Sequence, residues 1–295
     1  MSWEDAFSAS KTEDGRKKVL RQLEEGPTLS LELLKDVFGS FDETKKCFLT
    51  IRNCAIEPHA APVLIKQQIF STCVVIAEGF VRSEHLPAIS EVDVAGSLTE
   101  QQQRWLIRTI CQFFGNATSA STMNCDYLCE NLRMLSHLFA ASVKLRDLEA
   151  HAAVLHVAYN LICSNKDGAD ARLTAMLEER HKWVWRQLFL SLSDAFTAPI
   201  ASTAAASPST TTNTNTTANA NAASAAAASA SEPYTAEQGA LFEWVLLLCT
   251  RLLRSGRLAA LQALLLPAAA SPTPHHREEK EVEEEEEEGG QALVL

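Results

Sequence analysis

The sequence predicts an all-α fold. Apolar residues recur at steps of three and four along most of the chain, which places them on one face of a helix. Helix-capping hydroxyls precede two such stretches: Thr28 before LSLELLKDVF, and Thr235 before AEQGALFEWV, with Gln238 at capping-box spacing. No stretch combines sustained period-two alternation with hairpin turn signals, so we expect no β-sheet.

Five apolar stripes mark the main predicted helices, because each set of residues falls on one face at 3.6 residues per turn. In chain order the stripes are Ile69, Cys73, Ile76, Phe80; Ile107, Ile110, Cys111, Phe114; Leu128, Leu132, Leu135, Phe139; Leu148, Ala152, Leu155, Tyr159, Ile162; and Leu241, Val245, Leu248, Leu252. One or two shorter helices are expected before each long helix that starts near residues 101 and 147. This alternation is typical of armadillo units.

Three helical runs also align on an asparagine near the predicted helix end. The runs CFLTIRNCAIE, TICQFFGNATS and LHVAYNLICSN contain Asn53, Asn116 and Asn160. The step from Asn116 to Asn160 is 44 residues, within the roughly 40–47 residues of armadillo and HEAT repeats. The first step, 63 residues, fits only if the polar linker 82–100 is an insertion. The sequence therefore predicts an armadillo/HEAT-like helical-repeat solenoid, whose units bury their apolar faces against their neighbours.

Composition divides the chain into four parts. Residues 1–197 are expected to form the helical repeats, and residues 233–270 the last helical segment with a C-terminal cap. Between them, 198–232 is rich in Ala, Ser, Thr and Asn and lacks the large apolar side chains that offset ordering entropy, so it is predicted to be disordered. Residues 271–295 form a proline-broken, glutamate-rich tail that is also predicted to be disordered.

Two of the asparagine runs resemble the N-terminal armadillo-like part of the ataxin-10 family. The runs are KKCFLTIRNCAIE and WLIRTICQFFGNATS, and the matching residues are Cys47, Phe48, Arg52, Asn53, Phe114, Gly115, Asn116 and Ala117. The resemblance covers residues 40–195 and, more loosely, 234–266; the family's C-terminal domain has no counterpart after 266. It implies a cytoplasmic, non-enzymatic scaffold associated with cytokinesis and cell survival.

Several other functional classes are not supported by the sequence. The chain start has no basic segment followed by an apolar one, and the run LFEWVLLLCTRLL is shorter than the ~20 residues of a membrane span. We therefore expect a cytoplasmic protein without membrane insertion, and Asn116-Ala117-Thr118 is interpreted as a repeat position rather than a glycosylation site. The net charge of -11 and the lack of a basic stripe argue against nucleic-acid binding.

The sequence lacks the common catalytic and metal-binding patterns. Nucleotide-binding, zinc-protease and nucleophile-elbow motifs are missing, so neither an enzyme nor a cofactor is expected. The eight cysteines contain no C-x-x-C pair and mostly lie in apolar runs, which indicates core thiols rather than disulfides or a metal site. His151 and His156 are five residues apart and so fall on different helix faces.

The expected function is therefore binding of other proteins, through a scaffold or adaptor surface. Asn53, Asn116 and Asn160 are the candidate partner-binding residues, because an amide side chain can pair with both the N–H and the C=O of an extended peptide. A receptor that holds cargo peptides in an asparagine-lined concave groove is the alternative function. The asparagines have an alternative structural role, which is to end their helices by local bonds or a left-handed turn. The sequence names neither the partner nor the oligomeric state.

Overall fold

Helices make up most of the chain that the computed structural model describes, namely residues 2–81, 98–163, 166–178, 236–257 and 259. None of these residues lies in a β-strand, which confirms the all-α prediction. The helices are α1 (Trp3–Ser10), α2 (Glu13–Glu25), α3 (Leu31–Phe38), α4 (Phe41–Cys54), α5 (Ala61–Lys66), α6 (Ile69–Val81), α7 (Glu100–Ala120), α8 (Thr122–Glu130), α9 (Arg133–Lys144), α10 (Leu148–Ile162), α11 (Ala169–Met176) and α12 (Ala236–Arg254).

Short polar side chains define several helix starts. The Ser30 hydroxyl accepts a hydrogen bond from the backbone N–H of Leu33, so α3 begins after Ser30. The prediction that Thr28 caps this helix was wrong by two residues. Thr99 and Gln102 form a complete capping box at the start of α7, a signal that the sequence reasoning missed. Thr235 lies outside the described residues.

One predicted stripe belongs to two helices instead of one. The chain leaves the helical conformation at Asn131, between α8 and α9, and the Asn131 amide donates to the Tyr127 carbonyl at 2.7 Å. A side chain that satisfies a terminal carbonyl stabilises the end of a helix. Leu128 and Leu132 flank the break and are nevertheless both buried. The apolar pattern thus predicted burial correctly and the helix boundary incorrectly.

The helices contact one another in three ordered series. The long helices α4, α7, α10 and α12, preceded by α1, each contact the next member of that series in chain order. The shorter helices α2, α5, α8 and α11 form a second ordered series, and α6 contacts α9. The apolar side chains between these series form one core.

The core contains most of the predicted stripes and most of the cysteines. All eight cysteines are free thiols, and Cys163 and Cys249 are the two that are half-buried. Burial raises the pKa of the other thiols, for example that of Cys54 to about 12, so they act as small apolar groups. Tyr159 and Val245 are half-exposed members of the predicted stripes.

Several predictions concern residues outside the described ranges. These are most of the linker 82–100, the insertion 198–232 and the tail 271–295. Among the described residues, no single helix is long and apolar enough to cross a bilayer. The two consecutive segments Pro58–Lys66 and Ile69–Val81 would together be long and apolar enough by length and composition alone, but they are bent by 66° relative to each other.

Candidate partner-binding face

The three predicted asparagines lie on three successive long helices. Asn53 is in the last turn of α4, Asn116 is in α7, and Asn160 is in the last turn of α10. Asn53 and Asn116 are half-buried, whereas Asn160 is only 6% exposed. The helices that carry the three asparagines contact each other in chain order, α4 with α7 and α7 with α10.

Each asparagine side chain donates hydrogen bonds to the preceding long helix. Asn53 Nδ2 lies 3.1 Å from Ser10 Oγ, and Asn116 Nδ2 lies 3.1 Å from the backbone carbonyl oxygen of Arg52. Asn160 Nδ2 has three acceptors on α7, at distances between 2.9 and 3.4 Å. These acceptors are Ser119 Oγ, Thr118 Oγ1 and the carbonyl oxygen of Gly115. Asn53 thus joins α4 to α1, Asn116 joins α7 to α4, and Asn160 joins α10 to α7.

The sequence did not predict that the asparagines would bond to a neighbouring helix; the alternative structural role was to end a helix by local bonds or by a left-handed turn. Helix α7 continues through Asn116 to Ala120, and the three asparagines are not among the residues with a left-handed backbone. Asn116 and Asn160 do not end their helices. The Asn160 amide has three acceptors within the chain, and Asn116 donates one of its two N–H groups to the Arg52 carbonyl, so these N–H groups would have to exchange partners to hold a peptide backbone. The assignment of Asn53, Asn116 and Asn160 to partner binding stays a prediction.

Helix α12 has no asparagine at this position, and Arg251 makes the corresponding contact. Its Nε donates to the carbonyl oxygen of Ile162 at 2.7 Å, and its guanidinium forms an ion pair with Asp170. An arginine can reach a carbonyl at a neighbouring helix end because its side chain is long and ends in several N–H donors. The link between α10 and α12 is therefore made by different chemistry from the earlier links.

Half-buried side chains beside the asparagines form what we call the polar–aromatic row, defined as Arg52, Asn53, Gln112, Asn116, His156 and Trp244. Arg52 Nη1 donates to Gln112 Oε1 at 3.1 Å, which joins α4 to α7. The His156 and Trp244 rings are stacked with their centroids 4.3 Å apart, which joins α10 to α12. The row thus crosses four helices.

Gly115 allows close contact between α7 and the His156 side chain of α10. A Cβ atom at this position would lie 3.3 Å from His156 Nδ1, which is closer than a comfortable contact. The absence of a side chain therefore lets the imidazole lie directly against α7. Burial, together with the charge of Lys166, lowers the pKa of His156. An isolated glycine within a helical pattern is the one sequence signal that could have indicated this contact.

The charged groups along α7 are largely neutralised within the chain. Arg108 forms ion pairs with Asp147 at 2.7 Å and with Glu149 at 2.9 Å, and Asp147 also caps α10. Lys166 donates to the carbonyl oxygens of Thr118 and Ser119, where the negative end of the α7 dipole lies. These contacts stabilise the packing of α7 against α10.

Trp105 of α7 has a structural contact with α4. Its ring packs edge-to-face on Phe41, with ring centroids 5.6 Å apart. The described part of the chain contains no group of three or more His, Cys, Asp or Glu side chains that could hold a metal ion.

Comparison with known protein families, with curated proteins and with solved structures gives no match.

Proposed function

We propose that this protein is a non-enzymatic scaffold or adaptor that binds other proteins through the polar–aromatic row. One observation carries the proposal: the row crosses four long helices, and inter-helix hydrogen bonds from Asn116, Asn160 and Arg251 link each of these helices to the next. A binding surface spread over several elements requires this kind of relative positioning.

The same proposal includes an armadillo-like solenoid. Two shorter helices precede each of α4, α7 and α10, and the three series of helix contacts follow chain order. Such contacts between equivalent helices are expected when repeat units stack in one direction. The 63-residue step between Asn53 and Asn116 is consistent with an insertion in the linker that precedes α7.

The composition of the row supports a protein partner. Arginine and aromatic residues are enriched at the centres of protein interfaces, and Arg52 and Trp244 are both half-buried on the row. The net charge of -11 disfavours nucleic acid, whose phosphates require many cationic contacts.

The ataxin-10-like form of the proposal adds a cytoplasmic location and an association with cytokinesis or cell survival. It is supported by the resemblance around Cys47, Arg52 and Asn53 and around Phe114–Ala117. A receptor that holds peptide backbones through its asparagines is less well supported, because each asparagine already donates an amide N–H to a group within the chain.

The test is affinity purification with quantitative mass spectrometry on the full chain and two variants. Gln112→Trp places a bulky ring in the middle of the row, whereas Gln101→Trp makes the same change at an exposed position of the same helix that lies outside the row. Proteins that bind the row should be lost with Gln112→Trp and kept with Gln101→Trp. Equal recovery with both variants, when both are folded by circular dichroism, would contradict the proposed function.

A further inference from the structure

Arg52 is a half-buried cation held by neutral groups. Its Nη1 donates to Gln112 Oε1 at 3.1 Å, and its Nη2 donates to Asn53 Oδ1 at 3.2 Å. Its backbone carbonyl accepts the amide of Asn116. Two amide oxygens therefore orient the guanidinium without neutralising its charge.

The other arginines of the described residues that are buried or half-buried are neutralised, whereas the other arginines without an ion pair to a described residue are exposed to solvent. Five arginines form ion pairs with carboxylates: Arg16 with Glu57, Arg104 with Glu100, Arg108 with Asp147 and Glu149, Arg172 with Asp126, and Arg251 with Asp170. Arg52 forms no ion pair with any described residue, and burial is the cause that lowers its pKa. A partly desolvated charge without a counter-ion gains most from a carboxylate that a ligand supplies.

The guanidinium is suited to this ligand chemistry. The bonds to Gln112 and Asn53 use some of its N–H groups, and a guanidinium carries further donors in a planar fork that matches a carboxylate. The amide oxygens limit rotation of the fork, so less side-chain entropy is lost when a carboxylate binds.

The opposite end of the row is aromatic. Trp244 stacks on His156 and lies 5.7 Å from the Tyr159 ring, and all three residues are half-exposed. Such a cluster provides apolar area for a ligand side chain. Arg52 is on α4 and Trp244 is on α12, which are separated by α7 and α10. The Arg52 guanidinium reaches Gln112 on α7, and the Trp244 ring lies on His156 of α10. The two groups are therefore separated by roughly one to two steps of about 8–10 Å between helix axes, the length of about three to six extended residues.

We propose that the polar–aromatic row binds an extended acidic segment of a partner protein, with a carboxylate on Arg52 and an apolar side chain on Trp244, about three to six residues apart. This proposal rests on the proposed function and specifies its partner. The length of the row favours a polypeptide over a small anion, because a small anion would contact only the Arg52 end.

The test uses random dodecapeptides displayed on phage and selected on the immobilised full chain. The selected peptides are then synthesised with a fluorophore, and their affinities are measured by fluorescence anisotropy. We expect Asp or Glu to be enriched together with an apolar residue about three to six positions away. Binding should weaken with added salt, because the Arg52 contact is an ion pair.

Arg52→Gln should lower the affinity of the selected peptides by about tenfold or more, as expected when a central arginine anchor is lost. Arg52→Lys should retain only part of the affinity of the parent protein, since an ammonium lacks the planar fork. Arg21→Gln is the matched control: it removes the same charge at an exposed position of α2 and should have little effect.

The outcomes separate this proposal from the function on which it rests. In one outcome, the selected peptides lose binding with Gln112→Trp but show no acidic preference, or bind the Arg52→Gln variant as tightly as the parent protein. This outcome would overturn the carboxylate assignment and leave the row as a binding surface. Failure to select peptides, or binding unaffected by Gln112→Trp, would contradict both.

Discussion

The side-chain amide of Asn116 donates to the backbone carbonyl of Arg52 across 3.1 Å, although the two residues are 64 positions apart in the sequence. The bond joins α7 to the C-terminal end of α4, where backbone carbonyls lack intrahelical partners. The same residue type forms the next link, from Asn160 to α7. This relationship predicts that the asparagines affect stability in proportion to their burial and bonding.

Replacing the asparagines by alanine should destabilise the protein to different degrees. Asn160→Ala removes a buried amide with three acceptors and should cost about 1–3 kcal/mol. Asn116→Ala and Asn53→Ala should each cost about 0.5–1.5 kcal/mol, because each loses one amide donor bond to the preceding helix. Chemical denaturation measures the differences, with Gln101→Ala as an exposed control. Three equal effects would show that these bonds do not set the stability.

Gly115→Val should destabilise the protein and disturb the stack of His156 on Trp244. The added side chain would enter the space of the imidazole, since even a Cβ lies 3.3 Å from Nδ1. Overpacking of this kind typically costs about 1–3 kcal/mol. His156→Ala in the same chain should recover part of the loss, because it removes the clashing ring. A double-mutant cycle measures this coupling, and strictly additive effects would exclude it.

Stability should fall as the pH falls from about 6.5 to about 4, because of His151. This side chain is 3% exposed, its Nε2 lacks a partner among the described residues, and burial lowers its pKa from 6.5 to about 4. Between these values the unfolded chain binds a proton that the folded chain does not, which favours unfolding. The contribution is on the order of 3 kcal/mol.

His151→Leu isolates this effect, because carboxylates that titrate in the same range are unchanged. Urea denaturation of both proteins at pH 7 and pH 4.5 gives the comparison. The leucine variant should lose less stability than the parent protein over this range. Parallel pH profiles would mean that His151 is protonated as readily in the folded chain as in the unfolded one.

Thiol alkylation should divide the cysteines into two groups. Cys163 and Cys249 are half-buried, whereas the other six are buried, and burial raises the pKa of thiols such as Cys129 to about 11. Because the thiolate is the reactive form, the six should react only after local or global unfolding. Iodoacetamide labelling of the native protein, followed by mass spectrometry, should find label first at Cys163 and Cys249. Rapid labelling of Cys47 or Cys111 would contradict the packing around α4 and α7.

Arg251→Met should loosen α12 while sparing α7. The change removes the bond to the Ile162 carbonyl and the ion pair with Asp170, and it keeps much of the apolar side-chain volume. Hydrogen exchange should become faster in Ala236–Arg254 and change little in Glu100–Ala120. Unchanged exchange in α12 would show that its apolar face alone holds it against α10.

The sequence predicted burial better than it predicted the roles of polar residues. Ile69, Cys73, Ile76 and Phe80 were predicted as one helix face, and all four are buried in α6. Periodicity identifies such faces because apolar burial depends on spacing within one helix. The boundary at Asn131 was missed, since it depends on a bond between its side chain and the Tyr127 carbonyl.

By itself the sequence determined the all-α class, the core positions and the common register of Asn53, Asn116 and Asn160, since these depend on local periodicity. Only the tertiary structure decided what those asparagines bond to. The acceptor of Asn116 is a backbone carbonyl 64 residues away, and a backbone carbonyl carries no sequence signature. Likewise, only the tertiary structure decided whether Arg52 has a counter-ion, because a carboxylate from any part of the folded chain could pair with it. The groups that contact its guanidinium are amide oxygens.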